Sequence, residues 1–298
     1  VMTEAELYSL YKGVYVPHMV NPAEALQQYE EMSFRHDDVL IATYPKSGTT
    51  WMQELVCLIM SGGDPESVET SPNWVRVPWL ETDHRIPLEL RPSPRLLATH
   101  FSHRMMPQSF YQVKPKVIYV MRNPKDVCTS DYYFHIMSSF LVTPSSKRDF
   151  LHKFLEGKMI YGSWFDHVKS WLSAADTHRI MYICYEEMIE DLRGAVGRIS
   201  KFLDKPLEQE VIEQIADRCV FDNMKKNNMS NYSTAPPEIL DQSKGTFMRK
   251  GVAGDWKNFL TVAEAEHFDA VYEKEMKGVG HELYFHKHHV AKSRYPAE

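Results

Sequence analysis

No stretch of this sequence approaches the ~18 consecutive apolar residues of a membrane-crossing helix, so no membrane role is expected. The N-terminal part carries acids, prolines and tyrosines in place of a basic patch and an apolar core, and does not read as a signal peptide. Cysteine is scarce: Cys57, Cys128, Cys184 and Cys219 stand apart without C-x-x-C spacing, each in or beside an apolar run. That argues against a disulfide framework or a zinc site and fits reduced, structural thiols in a cytoplasmic protein. A surplus of positive charge is also missing. The net charge of −6 speaks against a nucleic-acid partner, although an acidic chain can still be locally basic and take an anionic ligand. Repeats, low-complexity segments and Gly/Ser-rich linkers are absent, which makes one domain over residues 1–298 the economical expectation.

What is present is ordinary globular material. Apolar residues make up 43% and charged residues 25% of 298 positions, enough for a sizeable core. Four short apolar runs, at 39–42, 96–98, 117–121 and 180–184, are each followed by polar or turn residues and then by helix-like sequence. Buried strands alternating with helices predict an α/β fold with a mostly parallel central sheet flanked by helices. Helical periodicity is readable at 51–60, 149–158, 164–172, 195–203, 208–218 and 263–276. The stretch 227–250 is polar, carries Pro236-Pro237 and has no period; a loop of that length in a compact domain is usually functional, often a lid. In such sheets ligands bind beyond the carboxyl ends of the strands, so chemistry is sought in the segment after each run.

The first run leads into Thr43-Tyr44-Pro45-Lys46-Ser47-Gly48-Thr49-Thr50-Trp51, a P-loop-like phosphate-binding turn that opens a helix. Gly48 permits an unusual backbone turn. Successive amides of the turn and the first N–H groups of the helix then converge on one spot, which suits a phosphate. Lys46 adds a mobile charge, and the Ser/Thr hydroxyls add donors. A plain turn with a surface lysine is the competing reading. A triphosphatase loop would read G-x-x-x-x-G-K-[ST], whereas here Lys46 precedes the glycine by two residues.

The third run ends in Arg122-Asn123-Pro124-Lys125-Asp126. Asn123 is a good N-cap and Pro124 suits the first helical position. Ser130 returns to the same face two turns later, so Arg122 and Ser130 can converge on one anion. A triphosphatase would want an aspartate there to hold Mg²⁺; a capping and salt-bridging cluster is the other alternative. His100 ends the second run, where an imidazole is a natural base for a weakly acidic hydroxyl. Alone it is one histidine among 14.

With these segments in hand, the chain resembles the cytosolic sulfotransferases over nearly its whole length. Tyr44 to Trp51 is similar to that family's 5′-phosphosulfate loop, and Arg122 through Ser130 to its 3′-phosphate strand–loop–helix. Phe247-Met248-Arg249-Lys250-Gly251-Val252-Ala253-Gly254-Asp255-Trp256-Lys257 is similar to its C-terminal cofactor segment. The resemblance implies a cofactor, 3′-phosphoadenosine 5′-phosphosulfate (PAPS), with adenosine 3′,5′-bisphosphate as product and no metal. It implies His100 as the base and Lys46 as the group that stabilises charge on the bridging oxygen. Ser47, Gly48, Thr49 and Thr50 would complete the 5′ side. Arg122, Ser130, Arg249, Lys250 and Gly251 would hold the 3′-phosphate. Trp51 and Phe221 would flank the adenine, with Tyr185, Cys219 and Met224 beside the nucleotide. Two departures stand out: Ala98 where many members have lysine, and Cys219 where members often have a hydroxyl residue.

Arg76-Val77-Pro78-Trp79-Leu80-Glu81, Tyr161-Gly162-Ser163-Trp164-Phe165-Asp166-His167 and Met229-Ser230-Asn231-Tyr232 resemble the hydroxysteroid branch. A small-molecule hydroxyl acceptor is implied, with Trp79, His100, Phe134 and Tyr232 as its lining, although these aromatics could equally be core. Lys257, Thr261, Val262 and Glu266 match the family's K-x-x-x-T-V-x-x-x-E dimerisation pattern, which implies a homodimer. A phenol acceptor, an ATP-using phosphotransferase and a non-catalytic nucleotide-binding module are the rival functions. Glu186-Glu187 after the fourth run resembles a metal-holding strand end, but helix-start acids favoured by the dipole are the preferred reading. The His286-Lys287-His288-His289 tail reads as solvated.

Overall fold

The structure is a computed structural model that describes residues 2–175 and 179–279; the histidine-rich tail lies outside them. After a short helix, Glu4–Leu7, come an antiparallel hairpin, β1 (Tyr8–Tyr11) and β2 (Val14–Pro17), and a helix, Ala23–Glu31, none of which the periodicity signals. The strands β3 (Val39–Thr43), β4 (Leu96–Thr99), β5 (Lys116–Met121) and β6 (Ile180–Cys184) then form a four-stranded parallel sheet in the order β4-β3-β5-β6. The register pairs Val39 with Leu96 on one side and with Lys116 on the other, and Val117 with Ile180.

Alternation along the strands divides the core into two layers. Leu40, Ala42, Val117, Tyr119 and Met121 face one layer, together with the helix Trp164–Leu172. Val39, Ile41, Ile118, Val120 and Ile183 face the other, with the helices Thr49–Met60, Leu192–Phe202 and Gln209–Arg218. A sheet buried on both faces explains why the strands read as unbroken apolar runs. The chain enters at β3, adds β4 on one side, then crosses to add β5 on the other. The crevice at the carboxyl ends of β3 and β5 is therefore the switch point where α/β sheets place ligands.

Helix boundaries moved where caps decide them. The helix expected from 149 runs Lys147–Glu156, because the Ser146 side chain accepts from Asp149 N–H and Gly157 ends it in the left-handed region. The helix expected from 195 begins at Leu192, capped by Asp191 on Gly194 N–H. Glu187 is a helix-start acid as expected, its Oε2 accepting the Cys184 N–H at 2.7 Å. Glu186 stands in the same first turn, as expected, but does more than face the dipole. It is buried and accepts the Asn123 N–H at 2.9 Å, and burial pushes its carboxyl up to about 7. The stretch 227–250 contains no helix or strand but is firmly anchored. The buried Glu54–Arg76 pair binds Ser230 Oγ and the Met229 carbonyl at one end. At the other, Asp241 N–H donates to the Met137 carbonyl and Ser139 N–H to the Ile239 carbonyl, across the Ser138–Leu240 bridge.

Candidate active site

A cavity of about 660 Å³ opens at the carboxyl ends of β3, β4 and β5. Of the residues singled out from sequence, Lys46, Gly48, Thr49, Thr50, Trp51, Trp79, His100, Arg122, Ser130, Phe134, Tyr185, Cys219, Phe221, Met224, Tyr232, Arg249, Lys250 and Gly251 all line it. Ser47 does not; its side chain is buried behind the turn.

At one end the turn after β3 does what its composition suggests. Gly48 has φ +102°, and a Cβ there would meet the Tyr185 ring at 3.0 Å, so only glycine fits. Lys46 is also in the left-handed region, at φ 68°. Its half-buried ammonium lies over the rings of Phe134 (4.4 Å) and Phe247 (4.6 Å). Loss of solvation pulls its pKa down to about 8, against the opposing charge of Asp131. Arg122 donates to the Lys46 carbonyl at 2.9 Å and stacks on Tyr185 at 4.1 Å. Arg249 and Lys250 both bind Asp255, each at 2.8 Å. Burial alone would raise the Asp255 carboxyl, but donors from Asn258, Lys250 and Arg249 outweigh it and hold it at about 2. Asp126 ties this segment to the helix Pro124–Met137 by accepting from Gly254 N–H (2.8 Å) and Trp256 N–H (3.0 Å). Gly251, at φ +64°, lies so close under Phe221 that a Cβ would sit 2.0 Å from the ring.

On the cavity-lining residues Trp51, Arg122 and Arg249, Trp51 Nε1 and the two arginine Nε atoms are buried with no protein partner. Each unpaired buried donor costs about 1–3 kcal/mol, so these groups make this end of the cavity a site for an anionic ligand with its own acceptors.

His100 stands where the two ends of the cavity meet. Its Nδ1 lies 3.0 Å from the Thr43 carbonyl, which can only accept, so Nδ1 carries the hydrogen and Nε2 is left as the acceptor. Burial lowers its pKa to about 4, so the imidazole is neutral. Trp79 covers one face at 4.2 Å between ring centroids, and Tyr161 lies 5.2 Å away. The backbone is clamped as well. Glu81 Oε1 accepts the His100 N–H at 2.8 Å, Oε2 accepts Thr99 Oγ–H at 2.9 Å, and His167 Nε2 donates to the His100 carbonyl at 2.8 Å. The remaining walls are largely apolar: Pro17, Val20, Phe140, Ile160, Leu240 and Phe247, with Tyr232 packed on Phe247 at 4.0 Å. Sequence reasoning missed most of these, because they come from the hairpin and loops, where no motif marks them.

The two departures resolve differently. Ala98 is buried in the layer of Val39 and Ile41 and does not line the cavity; its N–H donates to the Pro78 carbonyl and its carbonyl accepts from Leu80 N–H. Cys219 does line the cavity, and burial pushes its thiol well above the usual value, so it stays protonated. Among the described residues, no cluster of His, Cys, Asp and Glu has metal-holding geometry, and no helix is long and apolar enough to cross a membrane.

Comparison with known proteins agrees with this arrangement. The family described as "Sulfotransferase domain" matches residues 36–280. Mouse (Mus musculus) "Sulfotransferase 2B1" is 45% identical over 274 residues, covering 91% of this chain and 81% of its own. The guinea-pig (Cavia porcellus) "3-beta-hydroxysteroid sulfotransferase" is 41% identical over 276 residues, 92% of this chain and 96% of its own. Among solved structures, mouse sulfotransferase SULT7A1 complexed with PAP superposes with a TM-score of 0.77 at 29% identity, covering 91% of this chain and 95% of that one. The match over most of the chain and the identity to full-length relatives are decisive: this chain belongs to the sulfotransferase family.

Proposed function

We propose that this protein transfers a sulfuryl group from PAPS to the hydroxyl of a rigid apolar alcohol of the hydroxysteroid class. The observation that carries the reading is one cavity with orphaned anion-binding donors at one end and a neutral, clamped histidine where it turns apolar. PAPS, when bound, supplies the sulfuryl group. Arg122, Ser130, Arg249, Lys250 and the Gly251 backbone would hold its 3′-phosphate, and Ser47 to Thr50 its 5′ side. Trp51 and Phe221 would flank the adenine, beside Tyr185, Cys219 and Met224.

His100 Nε2 is free to take the acceptor's proton, since Nδ1 is committed to Thr43. Lys46 brings a positive charge to the reacting end, where a low dielectric strengthens it. Trp79, Phe134 and Tyr232 line the acceptor's side. A steroid skeleton buries large apolar area at ~25 cal/mol per Å² and has little internal freedom to lose. The name of the guinea-pig relative supports the same acceptor class. Buried free cysteines fit a cytoplasmic setting, and the exposed Val262 within its pattern fits a homodimer.

The test is transfer from labelled PAPS to a 3β-hydroxysteroid, an aliphatic alcohol, a simple phenol and a catecholamine. The steroid is expected to show the highest kcat/KM. If the phenol leads, the acceptor class is wrong; if nothing accepts the label, or if ATP and Mg²⁺ are required, the activity is wrong.

A further inference from the structure

Beside the apolar part of the cavity lies a pair of buried, charge-bearing side chains that the proposed reaction leaves unused. Ser130, Asp131, Phe134 and His135 fall on one face of the helix Pro124–Met137 and line the cavity together. The side chains of Asp131 and His135 are only 7% and 6% exposed. Asp131 Oδ2 lies 3.6 Å from His135 Nε2, longer than a hydrogen bond. Among the described residues, neither Asp131 oxygen accepts a hydrogen bond, and no ion pair joins Asp131 to Lys46.

His135 Nδ1 donates to the Val142 carbonyl at 3.0 Å, so the ring's other nitrogen is the one that faces the carboxylate. The carboxylate oxygens open onto the cavity and receive no donor from the described residues, so a hydroxyl of a bound molecule would satisfy them. Phe134, one helical turn on, packs against the Lys46 ammonium at 4.4 Å, which places this stretch of helix beside the reacting end of the cavity. The Asp131 charge also opposes the loss of solvation at both Lys46 and His100.

We infer that Asp131, oriented by His135, forms a subsite for a second hydroxyl of the acceptor, close to the hydroxyl that reacts. The inference rests on the proposed acceptor class and narrows it to rigid apolar diols. A second hydroxyl would donate to the unpartnered carboxylate oxygen. An acceptor carrying a carboxylate there would be repelled.

Two steroids of one skeleton test it, one with a single 3β-hydroxyl and one with a second hydroxyl on the neighbouring ring carbon. Binding is measured by calorimetry with and without adenosine 3′,5′-bisphosphate, and turnover with PAPS. The diol is expected to bind more tightly by roughly ten- to a hundredfold, the range for hydrogen bonds to a charged group. Asp131→Asn should lose about tenfold or more of that preference. His135→Gln, which keeps a donor near Asp131, should retain it; loss there would overturn the orienting role. Equal binding of both steroids by the wild type overturns the inference without any variant, and so decides the matter if Asp131→Asn fails to fold. An unchanged preference in Asp131→Asn overturns it too. So does an equal loss of kcat on both steroids, which would put the carboxylate's role at Lys46. Because binding is read apart from turnover, selective binding of the diol without transfer would break the proposed function and leave the subsite standing.

Discussion

The two ends of the cavity are built by opposite rules. The anion-binding end is made of fixed charges and backbone turns, each held by a named counter-group: Arg122 on the Lys46 carbonyl, Arg249 and Lys250 on Asp255, Gly254 and Trp256 on Asp126. The acceptor end is lined largely by apolar and aromatic side chains from the N-terminal hairpin region, the Trp79 segment and the anchored 227–250 stretch, with Tyr232 packed on Phe247. The first end suits one ligand of fixed charge geometry and is costly to perturb at any position. The second suits a shape, and single losses there are shared among several contacts. His100 belongs to both, which makes it the place to test the division.

The largest expected effect is therefore at His100. His100→Ala should lower kcat by about 10²–10⁴-fold, the range for loss of a general base, while the calorimetric affinity for adenosine 3′,5′-bisphosphate stays near wild type. Retention of a tenth of kcat or more would remove His100 from the chemistry. Next comes Arg249→Ala, which should weaken adenosine 3′,5′-bisphosphate by roughly ten- to a hundredfold, as charge-assisted bonds are worth ~1.5–3 kcal/mol. A nucleotide lacking the 3′-phosphate should be nearly indifferent to it. Equal losses for the two ligands would move Arg249 away from that phosphate, and a loss confined to acceptor binding would break the division between the ends.

A smaller effect, set by pH, separates Lys46 from its surroundings. A lysine is charged below its pKa, so with a value of about 8 the charge is present at neutral pH and is lost as pH rises through 8. His100, at about 4, is already a free base across that range and contributes no alkaline limb. The wild-type rate should fall about tenfold per pH unit once well above pH 8. Lys46→Arg should remove that limb, because a guanidinium stays charged. An alkaline limb of the same position in Lys46→Arg would assign it to another group.

These opposite rules also explain what could be read from the sequence. Strand ends, the Gly48 turn, the Asn123–Pro124 helix start and Arg249–Gly251 are short-range patterns, because a backbone anion site needs particular residues at fixed spacing. The four parallel strands were legible for a similar reason, since burial on both faces leaves no polar interruption. The hairpin and the helix Ala23–Glu31 were not. Tyr8, Leu10 and Tyr15 mix with charged neighbours, and β1 and β2 bury only part of one face. The clamp on His100 was hidden too: Glu81 reaches it across 19 positions and His167 across 67, distances at which one sequence carries no register. Asp131 shows the same limit, since a single acid on a helix reads as solvated until the cavity beside it is known.

The smallest effect on catalysis is expected at Val262, outside both ends. Its side chain is 77% exposed at the first position of the helix Val262–Glu275, with Thr261 and Glu264 forming a capping box around it. One exposed valine is unremarkable by itself; here it sits between Lys257, Thr261 and Glu266, whose pattern implies a small contact between two chains. Light scattering of the wild type should give about twice 34.8 kDa, and Val262→Glu about 34.8 kDa. The substitution should not harm the fold, because an acid in the first turn of a helix is favoured by the dipole, by about 0.3–1 kcal/mol. In a small apolar contact the same charge has nothing to pair with, and little buried area is available to offset it. Turnover per chain should stay within about twofold, as for surface changes away from a site. Any residual effect is expected on the side of Arg249 and Lys250, since the segment 249–256 that precedes Val262 in the chain is the one tied to Asp126. It should then appear in nucleotide affinity and leave acceptor preference unmoved. A wild-type mass near 34.8 kDa would mean there is no dimer to break; a changed acceptor preference with unchanged nucleotide affinity would show that the two ends are not built apart after all.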